Sequence, residues 1–109
     1  MATTFEVVAE PRRREILELL RGGEHLVGDL GERLSLAQPA VSKHLRVLRE
    51  AGLVDVRYDA QRRWYRLRPE PLLEIDAWLA PFRRLWSESL DALEQHLETM
   101  PDDPGTKED

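Results

Sequence analysis

The hydrophobic period of this chain switches from helical to alternating between residues 27 and 68, and that switch limits the folds open to it. Val41, Leu45 and Leu48 stand four and three apart, the stripe of an amphipathic helix over Gln38–Ala51 that Gly52 closes. From Leu53 the apolar residues alternate instead. Leu53–Asp59 and Arg63–Arg68 are rich in Val, Tyr and Trp, as the strands of a hairpin are. The link between them, DAQR, lacks the Asn-Gly or Asp-Gly of a two-residue turn, so a longer loop is expected. Upstream, residues 27–34 form a short helix with Leu30 and Leu34 four apart, and Ser35–Leu36–Ala37 is a tight break. Pro39 falls in the first turn of the next helix, where a missing N–H costs nothing.

The flanks are helical. Residues 3–9 form a short helix with Phe5 and Val8 on one face. Pro11 opens a second helix, striped by Ile16, Leu17 and Leu20 and stopped by Gly22–Gly23. After the hairpin the helical period returns from Pro71 to Leu97, with Trp78, Phe82, Trp86, Leu90 and Leu93 along its stripe. Pro81 removes one backbone bond, to Ala77, and is expected to weaken or kink that helix. The predicted class is mainly α with a β-hairpin. Residues 1–100 form one domain, and 101–109 an acidic tail with nothing apolar to bury, hence disordered. No apolar run reaches the roughly 18 residues of a membrane span.

The formal charge of −5 is unevenly spread. Residues 38–68 carry eight basic side chains against three acidic, whereas 69–109 carry three basic against eleven acidic. An acidic total therefore does not argue against a polyanionic partner, because the field a partner meets is local. Cysteine is absent, which excludes disulfides, thiolate metal sites and cysteine nucleophiles and suits a reducing compartment. The opening MATTFEVVAEPRRR lacks the basic-then-apolar order of a secretion signal, so a cytoplasmic protein is expected. Enzyme readings lack their parts: Ser35, Ser42, Ser87 and Ser89 stand in no G-x-S-x-G frame, and no glycine loop cradles a phosphate. His25, His44 and His96 are too far apart for a local zinc cluster. No cofactor or metal is expected.

Two short helices joined by a tight turn, with a hairpin directly after, make the helix-turn-helix-plus-wing pattern. The second helix of such a pair fits the major groove of double-stranded DNA and reaches base edges with its N-terminal half. With Val41, Leu45 and Leu48 inward, Gln38, Ser42, Lys43, Arg46 and Arg49 face out. Gln pairs with adenine, Lys and Arg with guanine or a phosphate, and Ala40 offers a methyl to thymine. Pro39 leaves the helix start one donor short, and the remaining N–H groups suit a phosphate. Arg62 and Arg63 at the hairpin tip suit a minor groove or its backbone, although arginines there, taken alone, are ordinary solvated residues. Trp64 and Tyr65 are assigned to the core in preference to base stacking.

The run LAQPAVSKHLRVLREAGLV, followed by RRWYRL, resembles the ArsR family of bacterial winged-helix transcription regulators. FEVVAEPRRREILELL is similar to that family's first two helices, and WLAPFRRLWSESLDALEQHL to the last helix of a subgroup without a metal site. The resemblance spans residues 5–98. It implies a dimeric winged helix-turn-helix, a repressor that holds a double-stranded DNA operator through Gln38, Ser42, Lys43, Arg46 and either Arg62 or Arg63. His44 matches the family's histidine and is assigned to packing or a phosphate. The chain departs from the family's metal sensors, since HLVGDLGERL has no cysteine and the last helix has a single histidine, His96, near Asp91, Glu94 and Glu98. Ala60–Gln61 stands at the wing tip, where family members often carry glycine.

A homodimer would set two reading helices about 34 Å apart, one turn of DNA. The apolar face of the last helix is too wide for one small domain to cover. Part is expected to pack on the chain's own core, and the surplus (Trp78, Phe82, Trp86, Leu90, Leu93) to join Phe5 and Val8 in an isologous interface. Two alternatives stand beside this: the aromatics line a pocket near Pro81 for a small apolar effector, or the winged helix binds protein and not DNA. If Lys43, Arg46, Arg62 and Arg63 each neutralise a phosphate in both protomers, log affinity falls against log salt with a slope of about −7.

Overall fold

The computed structural model describes residues 2–99. Helix α1 (Thr4–Val8) opens with a capping box, in which Thr3 Oγ1 accepts from the Glu6 N–H at 3.1 Å and Glu6 Oε1 from the Thr3 N–H at 2.8 Å. Helix α2 (Pro11–Arg21) starts on Pro11, with Glu10 Oε1 accepting from the Arg12 N–H. The PRRR run then ties the two helices together. Arg13 Nε donates to the Val7 carbonyl at 2.8 Å, and Arg14 Nη1 to those of Val8 and Ala9 at 2.7 and 3.1 Å. Carbonyls at a helix end have no donor in the helix, and here two guanidiniums stand in for the missing turn.

A two-residue strand, β1 (His25–Leu26), follows. It pairs antiparallel with β3 (Arg62–Leu67), which also pairs with β2 (Val54–Asp59), giving the order β1-β3-β2. Two residues show no alternation, which is why the periodicity of the sequence passes over β1.

Helices α3 (Val27–Leu34) and α4 (Gln38–Glu50) enclose the expected tight turn. Ser35 takes the left-handed conformation (φ 55, ψ 45), and the Leu36 N–H donates back to the Gly31 carbonyl at 2.9 Å. A Cβ at Gly31 would lie 2.9 Å from the Leu36 carbonyl oxygen, so the turn closes this tightly only over a glycine. Past the end of α4, Gly52 has φ 79 and the Leu53 N–H returns to Leu48 O at 2.9 Å, redirecting the chain into β2.

The hairpin is tighter than its sequence suggested. Asp59 pairs with Arg62, leaving a loop of Ala60 and Gln61 alone. Ala60 has φ 57. Two-residue loops that follow the strand twist need a positive φ at their first position, and here an alanine adopts it at a cost of about 1–2 kcal/mol. The absence of Asn-Gly therefore strained the loop and did not lengthen it.

Among the described residues, 2–77 form one compact unit and 78–99 another. The core of the first gathers Ile16, Leu20, Leu30, Val41, Leu45, Leu48, Leu53, Val54 and Tyr65, with Val8 and Leu72 packed against it. Phe5 stays exposed. Helix α5 (Leu72–Thr99) continues through Pro81 without interruption. In the second unit Trp78, Phe82, Trp86, Leu90 and Leu93 are 39–64% exposed, and the Trp78 and Phe82 rings meet at a tilt of 49° with centroids 5.0 Å apart. The tail expected at 101–109 lies outside the described residues. Among the described residues, no helix is long and apolar enough to cross a membrane.

Candidate nucleic-acid interface

Each residue turns a helix by about 100°, so the stripe that enters the core decides what faces away. Val41, Leu45 and Leu48 are at most 1% exposed. Gln38, Ser42, Arg46 and Arg49 form an exposed rib at roughly a right angle to that stripe, and Pro39 and Lys43, also exposed, face directly away from it. Ala40 and His44 are half-buried between the two faces. The start of α4 offers an anion less than expected. Its N-cap, Ala37, makes no side-chain bond, Pro39 has no N–H, and the Ala40 and Val41 N–H groups return to Ala37 O at 3.0 and 3.1 Å. Among the first three positions of the helix, the Gln38 N–H alone is left for a phosphate, where several were expected.

Ion pairing divides the cations of the first unit into two groups. Arg12 meets Glu15 at 3.1 Å, and Arg33 meets Asp29 at 2.9 Å. Arg57 meets Glu24 at 2.8 Å, Arg66 meets Asp55 at 2.6 Å, and Arg68 meets Asp55 at 3.0 Å. Arg13 and Arg14 are spent on backbone carbonyls. These contacts hold Asp29, Asp55 and Glu24 below the usual carboxylate range. For Asp29 the main cause is the His25 ring, then Arg33; for Asp55 it is Arg66, and for Glu24 it is Arg57. Arg21, Lys43, Arg46, Arg49, Arg62 and Arg63 make no ion pair among the described residues; Arg21 ends α2, and the other five lie on α4 or at the wing tip. Exposed cations left without carboxylates keep their full charge for a polyanion.

Of the two adjacent aromatics assigned to the core, one belongs there. Tyr65 is 8% exposed within the core cluster. Trp64, one residue along the strand, points to the other face. There Arg57 lies over its ring, 5.8 Å from the centroid, and Glu24 holds Arg57 from the side. Neighbours on one strand cannot both face the core. A cavity of about 220 Å³ opens between Val8, Arg14, Leu17, Glu18, Leu72 and Ile75, and none of the aromatics expected to line an effector pocket is among its lining residues.

Most of the unpaired charge of the first unit is thus carried on the two parts of a helix-turn-helix fold that reach a duplex, and the protein is of the winged-helix DNA-binding class. Residues 10–56 match the family described as bacterial regulatory protein, arsR family. The chain is 32% identical over 82 residues to the transcriptional repressor SdpR of Bacillus subtilis, which covers 75% of this chain and 91% of that protein. It is 36% identical over 99 residues to an HTH-type transcriptional regulator of Mycobacterium tuberculosis, covering 91% of this chain and 90% of the other. The solved structure of a possible transcriptional regulator for arsenical resistance superposes with a TM-score of 0.67 at 41% identity, over 88% of this chain and 97% of that one. The chain belongs to the arsR family and is a DNA-binding transcriptional regulator.

Proposed function

We propose that the protein is a homodimeric repressor that acts in the cytoplasm on a palindromic operator. Each protomer lays α4 in a major groove, with Gln38 and Ser42 toward bases and Lys43 and Arg46 toward the backbone, and sets its wing on the flanking duplex. Repression follows from occupying the site and needs no chemistry. The observation that carries this reading is the division of cations, since five of the six in the first unit that neither a carboxylate nor a backbone carbonyl binds, among the described residues, stand on α4 or at the wing tip. The name of SdpR, a transcriptional repressor, supports the direction of regulation. Two-fold symmetry is supported by the exposed apolar side chains of α5 from Trp78 onward, which suit a self-complementary interface.

Fluorescence anisotropy of a labelled duplex across a salt series tests the reading. Six to eight phosphate contacts per dimer give a log–log slope between about −5 and −7. A flat response removes DNA as the partner. Selection from random duplexes should return a palindrome with half-sites about one turn apart. A second reading adds an effector: the cavity beside α1 suits a small apolar molecule, whose binding there would release the operator.

A further inference from the structure

We propose that the wing meets DNA with one face only, through Arg63 and Tyr58, and that Arg62 is not a DNA ligand; the proposal rests on the DNA-binding reading above. A pleated strand sends alternate residues to opposite faces, and the strand register states which go together. Val54↔Leu67, Val56↔Tyr65 and Tyr58↔Arg63 share one face. Its inner part is core, with Val54 and Tyr65 buried and Val56 and Leu67 packed against them. Leu45 and Leu48 of α4 belong to the same core, so this is the face of the sheet turned toward α4. Tyr58 and Arg63 are its outermost pair, beyond the edge of the core, with Tyr58 63% exposed.

The other face holds Asp55↔Arg66, Arg57↔Trp64 and Asp59↔Arg62. Here two of the three guanidiniums are bound by carboxylates, and the third stands opposite one. Glu24 binds Arg57, Asp55 binds Arg66, and Asp59 sits directly across from Arg62, a separation of about 5 Å between Cβ atoms. A phosphate brought to that face meets as much repulsion as attraction. Arg63 has a phenol across from it, whose O–H can donate to a phosphate oxygen. An arginine at a ribbon tip with no carboxylate beside it is the group a narrow minor groove draws in. Two adjacent arginines look alike in a sequence; the parity of the register separates them.

The test measures anisotropy of a mixed-sequence duplex of about 30 base pairs with the full chain and four variants, across a salt series. With Lys43, Arg46 and Arg63 counted in both protomers, the parent slope is about −5; Arg63→Ala reduces it to about −3.5, and Arg62→Ala leaves it unchanged. Tyr58→Phe weakens binding by about threefold to tenfold per wing. All three residues are exposed, and matching thermal melts check that the variants fold. An Arg62→Ala slope loss equal to or larger than that of Arg63→Ala overturns the assignment, as does a Tyr58→Phe protein that binds like the parent. Arg46→Ala, the fourth variant, keeps the two readings apart. If the parent binds without salt dependence and Arg46→Ala matches it, the DNA reading fails; a wrong order of wing variants on a normal parent slope overturns the wing assignment alone.

Discussion

Arg46 and Arg66 are both exposed arginines on the first unit, yet they should respond to neutralisation in opposite ways. Arg46 has no partner on α4, whereas Arg66 holds Asp55 at 2.6 Å. Replacing Arg46 by Gln removes one counterion-releasing charge per protomer, two per dimer. Each phosphate contact contributes about 0.9 to the log–log salt slope, so the slope should become shallower by about 1.8. Over a fourfold change in salt that exponent corresponds to a factor of about 12. The affinity gap between parent and Arg46→Gln should therefore be about 12-fold wider at 50 mM than at 200 mM salt. Arg66→Gln should give a curve parallel to the parent and a lower melting temperature, because its charge serves the sheet. Anisotropy titrations at four or five salt concentrations, with melts of the same preparations, read both. Equal slope changes for the two variants would refute the division of cations into structural and DNA-facing groups. A loss of about 1–3 kcal/mol for Arg46→Gln that stays constant at all salt concentrations would instead make Arg46 a base contact.

Gly31→Ala gains helix propensity but places a methyl 2.9 Å from a backbone oxygen of the turn; it should lower stability by about 1–3 kcal/mol in urea melts and weaken DNA binding further by displacing α4. Ser35→Gly removes the cost of a left-handed serine and should raise stability by about 1 kcal/mol in the same assay. Trp86→Asp puts a charge on the exposed apolar face of α5 and should give monomers by sedimentation with no operator binding. In acid, the lowered carboxylates Asp29, Asp55 and Glu24 contribute stability that is present above their ordinary values of 3.8 to 4.5 and is lost as pH falls through their lower folded values. Melting temperature should accordingly drop below about pH 4, and more gently in Asp55→Asn, which lacks one of the linked groups.

The helices were legible because their evidence is local and repeated. Val41, Leu45 and Leu48 give α4 by spacing alone, and a glycine past its end gives the boundary. The strands of the wing were legible for the same reason. What escaped were features decided by a partner elsewhere in the chain. Strand β1 exists because His25 and Leu26 lie alongside Tyr65 and Trp64, and two residues carry no period of their own. The two-residue loop is held by the pairing of Asp59 with Arg62, which overrides the turn preference of Ala60. Composition near a turn reports what the loop would choose, while the strands on either side set what it must do.

The site divides along the same line. Spacing placed Gln38, Ser42, Lys43 and Arg46 on the outer rib of α4, and burial in the structure agrees residue by residue. It could not say which of the remaining arginines are available, because availability depends on contacts that sequence distance hides. Arg57 is bound by Glu24, 33 residues away, and Arg66 by Asp55 across the sheet. Count charges along the sequence, and Arg57, Arg62, Arg63 and Arg66 are equivalent members of one basic run. Fold them into a hairpin, and alternation puts three on a face that also carries Asp55 and Asp59, leaving Arg63 beyond the core on the face turned to α4. A basic stretch on a β-ribbon therefore presents only the part of its charge that the register leaves unopposed, and that part can sit with a recognition helix although the chain as a whole is acidic.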